Sequence, residues 1–492
     1  MSKFNVLYLT SELYPMAKVG GLADVAGSLP KVLKDLEHDV RVFLPKYRVI
    51  RDRKYNLREV IRLRDIEVPM GNETVTVSVK SGFVPDSKVQ AYFLEYKPYF
   101  DREAIYVDPK TGKGFEDDAF RFALFAKAAL EMLKVLYWQP DLVHVNDWPS
   151  ALLPYYLKND YKDEEFFQKT NSLLTVHNLA YQGEFPAKVA KQVFGKGVKF
   201  DENHPAWHNG KVNFLKAGLL CSDLITTVSP TYAKEVLTPE MGAGLDSVLI
   251  EKKDRLYGVL NGIDENVWDP ETDKELAKNY SVEEPEDKAV CREALMEEFE
   301  LENPDNMLIG VIARMAWQKG FDLIVDTFDK FMDLPVNFVI LGGGDKELEQ
   351  QINELVEKYP GRLGVKIGHD EPLSHRIEAG ADAFLMPSKY EPCGLNQLYS
   401  LRYGTIPIVH ATGGLNDTVQ EYEGDGKGNG FRFEEFGAEP MIAAVERAVK
   451  LFEDKSAWRK LMLTGMRQDY SWTASAKQLI KVYQEAKAVE VA

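Results

Sequence analysis

The feature that most constrains the fold of this chain is a regular alternation of short apolar runs with longer amphipathic segments. Runs at residues 5–9, 39–44 and 142–145 are rich in β-branched side chains, and the segments at 23–36 and 148–157 have helical periodicity. Short runs of this kind are typical of strands that are buried on both faces. The alternation therefore predicts an α/β fold with a mostly parallel, doubly wound sheet.

The alternation starts a second time beyond residue 262. Turn-forming residues separate the two series, in Asn261-Gly262-Ile263-Asp264 and in Trp268-Asp269-Pro270, as expected of a hinge. Because 492 residues are too many for one core, we expect two Rossmann-like domains, residues 1–262 and 263–472, facing a deep cleft. Residues 473–492 are predicted to form a helix that crosses back to the first domain.

Composition excludes several classes of protein. No apolar run approaches the roughly 20 residues that span a bilayer, so no membrane association is expected. The net charge of −17 repels nucleic acid. Cys221, Cys291 and Cys393 are too dispersed for a disulfide framework or a zinc site. Without a visible targeting peptide, these features favour a cytoplasmic protein.

The segment K-V-G-G-L-A-D-V, which starts at Lys18, follows the first predicted strand. Gly20 and Gly21 allow a sharp turn, and Asp24 lies near the start of the next predicted helix. Backbone N–H groups at a helix N-terminus suit an anion, and Lys18 adds positive charge. An ordinary glycine turn with Asp24 as the helix cap is the alternative.

A second candidate segment, T-V-H-N-L-A-Y-Q-G, follows an apolar strand at residues 172–176. It places His177 at the strand end that faces a cleft, where it could bond a sugar hydroxyl or a backbone carbonyl. A core or surface histidine is the alternative.

Two loops of the second series carry charge that suits a diphosphate leaving group. Arg314 and Lys319 lie five positions apart after a strand, and Glu391 precedes Gly394 and Leu395, whose backbone N–H groups could contact phosphate. Solvated cations, and a glutamate that only stabilises a helix N-terminus, are the alternatives.

Several competing signatures are missing from the sequence. There is no G-x-G-x-x-G, Walker A, G-x-S-x-G or H-E-x-x-H motif, and no Asp-x-Asp pair that would hold a metal on a nucleotide sugar. We therefore expect no cofactor and no metal, with leaving-group charge met by Arg314, Lys319 and backbone dipoles.

Together the motifs resemble those of the bacterial-type glycogen and starch synthases, retaining glycosyltransferases with the GT-B fold. They occur in the family order along nearly the whole chain. The remaining matching segments are D-L-V-H-V-N-D-W ending at Trp148, V-S-P-T-Y-A from Val228, N-G-I-D from Asn261, and T-G-G-L from Thr412.

The resemblance implies a hexosyltransferase that moves glucose, with retention, from ADP-glucose to the non-reducing end of an α-1,4-glucan such as glycogen or a maltooligosaccharide. It implies a catalytic set of His177, Glu391, Arg314, Lys319 and Asp24. It implies donor contacts from Lys18, Gly20, Gly21, Asn261, Cys393, Gly394, Leu395 and His369. It implies acceptor contacts from Tyr99, Asp147 and Trp148, with Asp24 also near the acceptor.

The chain departs from the family pattern at a few positions. Val19 replaces the usual Thr, Asn146 replaces a His, and His369 stands where an aromatic residue is expected to stack on the nucleobase. The preference between ADP-glucose and UDP-glucose therefore stays open. Tyr399 occupies the place of a second Glu found in other GT-B enzymes, as is typical of this branch.

Other functions remain as alternatives. One is a different GT-B enzyme using UDP-glucose, such as a sucrose-type synthase or a nucleotide-sugar epimerase, or a phosphorylase, which would need lysine-bound pyridoxal phosphate. The other is a non-catalytic glucan-binding protein, which would be expected to lack the charged set of Arg314, Lys319 and Glu391.

Overall fold

The computed structural model describes residues 3–195, 197–424 and 427–488. The chain divides into two compact units. The first unit comprises Met1–Val228, Ala233–Val259 and Trp472–Ala492, and the second comprises Ser229–Tyr232 and Leu260–Ser471. Apart from the short excursion at Ser229–Tyr232, the chain thus enters the second unit at Leu260 and returns to the first at Trp472, and the sequence predicts these changes at residues 263 and 473.

The structure contains the following β-strands within its described residues. In chain order they are β1 (Asn5–Leu9), β2 (Asp39–Pro45), β3 (Arg58–Glu59), β4 (Ile66–Met70), β5 (Glu73–Phe83), β6 (Gln90–Glu95), β7 (Leu142–Asn146), β8 (Asn171–Val176), β9 (Glu184–Pro186), β10 (Trp207–His208), β11 (Lys211–Asn213), β12 (Leu224–Thr227), β13 (Leu256–Gly258), β14 (Met307–Ile312), β15 (Val336–Gly342), β16 (Leu363–Ile367), β17 (Ala383–Met386), β18 (Ile406–His410) and β19 (Phe431–Phe433).

The α-helices alternate with these strands. They are α1 (Gly21–Asp35), α2 (Lys97–Phe100), α3 (Asp118–Leu136), α4 (Asp147–Ser150), α5 (Leu152–Asn159), α6 (Ala190–Val193), α7 (Phe214–Cys221), α8 (Pro230–Glu235), α9 (Asp246–Glu251), α10 (Lys288–Glu298), α11 (Phe321–Met332), α12 (Lys346–Lys358), α13 (Glu371–Gly380), α14 (Asn396–Arg402), α15 (Gly413–Thr418), α16 (Ala438–Phe452), α17 (Lys455–Met466) and α18 (Trp472–Ala488). No helix within the described ranges combines the length and the apolar character needed to cross a membrane.

The first unit contains a ten-stranded sheet in the order β13-β12-β8-β7-β1-β2-β6-β5-β3, with β4 paired to β5. Its central strands run parallel, while β5 pairs antiparallel with β3, β4 and β6. Val6 to Leu9 of β1 are fully buried, which explains why this strand reads as one apolar run. The order changes direction at β1, since β2 lies on one side and β7 on the other.

The second unit contains a six-stranded, fully parallel sheet in the order β16-β15-β14-β17-β18-β19. This is the strand order of a dinucleotide-binding Rossmann fold, with the change of direction between β14 and β17. In such sheets ligands bind beyond the carboxyl ends of the strands at the switch point. The loops after β14 and β17 are therefore the expected place for a ligand.

The turn-rich segment after Asn261 is anchored in the second unit by aromatic stacking. The Trp268 ring lies between the rings of His375 and Tyr399, with centroid distances of 3.8 Å on both sides and nearly parallel planes. Tyr399, at the position of the missing second Glu, therefore packs against this segment.

Helix α18 belongs to the first unit. Its Tyr483 is fully buried, and the Tyr483 hydroxyl lies 2.8 Å from Nδ1 of His144 on β7. Of the predicted helix at 473–492, residues 489–492 lie outside the described residues.

Candidate active site

The glycine turn of the first unit follows β1 at the switch point of its sheet. Gly20 is extended at the N-cap of α1, with φ of −143°, and Gly21 is the first helical residue. A Cβ atom added at either glycine would meet no described atom within 4 Å. Neither the backbone nor packing requires glycine at these positions, so the turn has room for the close approach of a ligand.

A buried carboxylate that sequence reasoning missed holds this turn. Oε2 of Glu12 accepts the N–H groups of Val19 and Gly20 at 2.6 and 2.8 Å, and Oε1 accepts the Tyr106 hydroxyl at 2.9 Å. Burial raises the pKa of Glu12. The Gly20 N–H thus has a partner within the protein, and the predicted donor contact of Gly20 stays a prediction.

The two charged residues of the turn pair with each other. Nζ of Lys18 lies 2.8 Å from Oδ1 of Asp24, and both side chains are partly exposed. Asp24 sits in the first turn of α1 and not at its cap, which is Gly20.

The ends of β7 and β8 bring Asp147 and His177 together. Asp147 adopts a left-handed conformation, with φ of 53°, and its Oδ1 accepts the N–H of His177 at 2.7 Å. Burial raises the pKa of Asp147 to about 7, although bonds from the N–H groups of His177 and Asn178 oppose the shift. Burial lowers the pKa of His177 to about 4, so its imidazole is neutral at pH 7.

The predicted acceptor residues lie in different surroundings. Trp148 is half-buried, packs edge-to-face on Phe122 with 4.8 Å between centroids, and lies 6.3 Å from the Tyr106 ring. Tyr106 therefore links it to Glu12. Tyr99 lies on α2 against Tyr96, and no contact among the described residues joins it to Trp148.

In the second unit, Lys319 and Glu391 form an ion pair at the switch point. Lys319 follows β14 and Glu391 follows β17, and the two strands are neighbours. Oε2 of Glu391 also accepts the Ser388 hydroxyl at 3.1 Å. Gly320 has φ of +72°, and a side chain there would collide with the carbonyl oxygen of Pro387, so only glycine lets the two loops pack together.

Arg314 differs from Lys319 in its environment. Its side chain is exposed and forms no hydrogen bond or ion pair with the described parts of the chain. The guanidinium therefore keeps all its donors for a ligand, while the nearby Lys319 is already paired.

The loop after β17 also brings Cys393 and Asn261 together. Burial raises the pKa of the Cys393 thiol to about 12, and Asn261 hydrogen-bonds it. Gly394 has φ of +72°, and Leu395 caps the short helix α14. His369 is exposed after β16, two strands away from β14 in the sheet, and no contact between described residues places it beside Arg314.

Comparisons with known proteins show the fold and the family of the chain. Residues 5–251 match the family model described as starch synthase catalytic domain, and residues 293–461 match that of glycosyl transferases group 1. The catalytic domain of starch synthase IV from Arabidopsis thaliana, solved with ADP and acarbose, has a TM-score of 0.87 and 31% identity, covering 99% of this chain and 100% of that one. Sucrose-phosphate synthase from Thermosynechococcus elongatus shares the fold alone, with a TM-score of 0.60 and 18% identity over 98% of this chain and 99% of that one. The chain is thus a two-domain glycosyltransferase with the GT-B fold.

Relatives narrow the class further. Glycogen synthase of Desulforudis audaxviator is 43% identical, over 98% of this chain and 96% of the relative, and that of Koribacter versatilis is 42% identical, over 99% of both. The chain belongs to the glycogen and starch synthase family. The fold class and the family predicted from the motifs are confirmed.

Proposed function

We propose that this protein is a glycogen synthase that transfers glucose, with retention, from ADP-glucose to the non-reducing end of an α-1,4-glucan. The chain belongs to the glycogen and starch synthase family, and one observation on its structure supports this activity. The exposed Arg314 and the paired Lys319 and Glu391 occupy the loops at the switch point of the second unit. The ADP and acarbose in the Arabidopsis starch synthase structure support the donor and the glucan acceptor.

The leaving group is a nucleoside diphosphate, and its negative charge must be stabilised as the glycosidic bond breaks. Arg314 offers a planar set of donors suited to phosphate, and Lys319 adds a point charge. Such preorganised cations stabilise charge that develops in the transition state. The proposed reaction uses no metal and no cofactor. The N-terminal side of α14, with Gly394 and Leu395, is proposed to contact the same diphosphate.

The reacting carbon becomes positively charged in an oxocarbenium-like transition state. In the proposed reaction the 4-hydroxyl oxygen of the acceptor forms a bond to the anomeric carbon on the face from which ADP leaves. Its proton passes to the departing phosphate oxygen. Glu391 and His177 are proposed to stabilise the sugar, and Asn261 and Cys393 to contact it.

The first unit is proposed to supply the remaining contacts. Gly20 and Gly21 leave space for the donor, beside the pair of Lys18 and Asp24. Tyr99, Asp147 and Trp148 are proposed to contact the acceptor, and His369 the nucleobase.

Other properties of the chain suit this role. Its three cysteines are free thiols, all of them buried, which is compatible with a reducing cytoplasm. The high negative charge disfavours nucleic acid as a partner.

The test is transfer of label. The purified protein is incubated with glycogen and either ADP-glucose or UDP-glucose carrying radiolabelled glucose, and label in polymer is measured. We expect label to be incorporated from ADP-glucose. An α-1,4-specific glucosidase should release all of the incorporated label, because retention gives an α-linked product. Incorporation from UDP-glucose alone would refute the proposed donor. Glucan binding without incorporation from either donor would refute catalysis.

A further inference from the structure

The side chain of Asn146 occupies a fully buried junction at the end of β7. Its Nδ2 donates to the carbonyl oxygen of Leu9 at 2.8 Å. Its Oδ1 lies 3.1 Å from the Tyr8 hydroxyl and 2.9 Å from Nε2 of His177. We propose that Asn146 is a positioning residue that fixes the tautomer of His177, an inference that rests on the proposed role of His177 in glucosyl transfer.

These hydrogen bonds determine which atoms of the Asn146 amide and of the His177 ring carry hydrogen. A backbone carbonyl can only accept, so the amide nitrogen of Asn146 must face Leu9 and the oxygen must face the other two groups. An amide oxygen also only accepts, so Nε2 of His177 must carry a hydrogen. Because burial keeps this imidazole neutral, with a pKa of about 4, the lone pair is on Nδ1.

The junction is held from several sides, so Asn146 cannot easily turn over. The Asn146 N–H donates to Oγ of Ser150 at 2.7 Å, and Ser150 donates back to the Asn146 carbonyl at 2.6 Å. The next residue, Asp147, accepts the backbone N–H of His177. Two consecutive residues thus fix the ring and the main chain of His177.

The consequence concerns what His177 can do for a sugar. The ring nitrogen that remains for a ligand is Nδ1, which can only accept a hydrogen bond. It therefore binds a sugar hydroxyl that donates its hydrogen. If the ring took the other tautomer, Nδ1 would instead present an N–H, and the bond to the hydroxyl would reverse. In other enzymes the partner of a histidine sets its tautomer in the same way.

Four titratable groups lie around the junction of Asn146 and His177. Asp147 accepts the backbone N–H of His177 and has a pKa of about 7, which burial raises most and the charge of Glu12 raises further. His144 couples to His177 and stays neutral, because burial lowers its pKa to about 3. Tyr8 shares the Asn146 oxygen, and burial raises its pKa well above the usual range. The carboxyl of Asp147, with a pKa of about 7, is thus a neighbour that titrates near neutral pH.

The first experiment reads the tautomer directly and needs no activity. The full chain is labelled with ¹⁵N-histidine, and long-range ¹H–¹⁵N spectra identify the His177 ring as the signal lost in His177→Gln. We expect a neutral ring protonated at Nε2 in the wild type and a mixture of tautomers in Asn146→Ala. The matched control Asn159→Ala, which removes a surface amide bonded to the Tyr155 carbonyl, should leave the ring unchanged. A wild-type ring protonated at Nδ1, or an unaltered ring in Asn146→Ala, would overturn the proposal.

The second experiment uses glucosyl transfer. Asn146→Ala should lower kcat by roughly 10- to 100-fold, as expected for a misplaced catalytic group. Asn146→Asp keeps an acceptor but adds a negative charge, which favours the protonated ring. The acid limb of its kcat profile should therefore move up by about 1–3 pH units. Circular dichroism and the unfolding midpoint show whether each variant is folded.

The two proposals fail in different ways. If the wild type transfers no glucose but His177 shows the expected tautomer and its loss in Asn146→Ala, the proposed function fails and the tautomer assignment stands. If the wild type is active and folded Asn146 variants keep its kcat and its pH profile, the positioning role is refuted.

Discussion

Replacement of Gly21 by alanine separates a ligand-binding role of the glycine turn from a structural one. Gly21 begins α1 outside the left-handed region, and its added Cβ would meet no described atom within 4 Å. Alanine is favoured over glycine in helices by up to about 1 kcal/mol. We therefore expect the unfolding midpoint of Gly21→Ala to stay the same or to rise by up to about 2 °C.

Activity should respond in the opposite direction. If the donor approaches the turn closely, the new methyl group occupies space that the donor needs. Inserting a methyl group into a packed contact costs about 1–3 kcal/mol, which corresponds to a roughly 5- to 150-fold loss. The measurement is the initial rate of glucose incorporation over a range of ADP-glucose concentrations, and the loss should appear in kcat/KM for the donor.

Two other glycines of the first unit serve as controls. At Gly197 an added Cβ also meets no described atom within 4 Å, so Gly197→Ala should change neither stability nor activity. At Gly27 the Cβ would lie 2.9 Å from the carbonyl oxygen of Tyr14, so Gly27→Ala should lower the unfolding midpoint. If Gly21→Ala keeps the wild-type kcat/KM for the donor, the turn is not a donor contact.

Three further outcomes are expected. Lys319→Ala should lower turnover on the order of 10²-fold or more. The control Lys330→Ala removes a surface ion pair with Glu439 and should keep the wild-type turnover. Equal turnover in the two variants would refute the role of Lys319. Excess EDTA should leave glucose incorporation unchanged, and a loss that Mg²⁺ restores would contradict a metal-free reaction. Burial lowers the pKa of His144 from 6.5 to about 3, so its contribution to stability is present above pH 6.5 and is lost as the pH falls towards 3. The unfolding midpoint should therefore drop more steeply between pH 6.5 and 4 in the wild type than in His144→Gln, and parallel profiles would contradict this.

The parallel sheets could be predicted because their strands are apolar on both faces. The run predicted at 142–145 is β7, Leu142–Asn146, and the second series predicted beyond residue 262 corresponds to the parallel sheet of β14 to β19. The antiparallel edge formed by β4 and β5 was not predicted. Much of β5 is exposed or half-buried, so its sequence lacks the continuous apolar run that marks the central strands.

The residues of the candidate site also fall into a group that the sequence predicts and a group that it does not. Motifs predicted residues whose neighbours in sequence are also neighbours in the site, such as Glu391 and Cys393. Glu12 was missed because its role depends on a turn seven residues later and on Tyr106, which lies 94 residues away. No local pattern reports such contacts. Asn146 appeared only as a departure from the family, and its bond to His177 emerged from the pairing of β7 with β8.

The discontinuity of the first unit has a consequence for how the protein is made. The second unit, apart from Ser229–Tyr232, is one continuous stretch, Leu260–Ser471, which is synthesised in full before Trp472 is added. His144 receives its partner Tyr483 only 339 residues later. The unit whose synthesis starts first is thus completed last, and until then the buried surface that receives α18 is open to solvent and to chaperones.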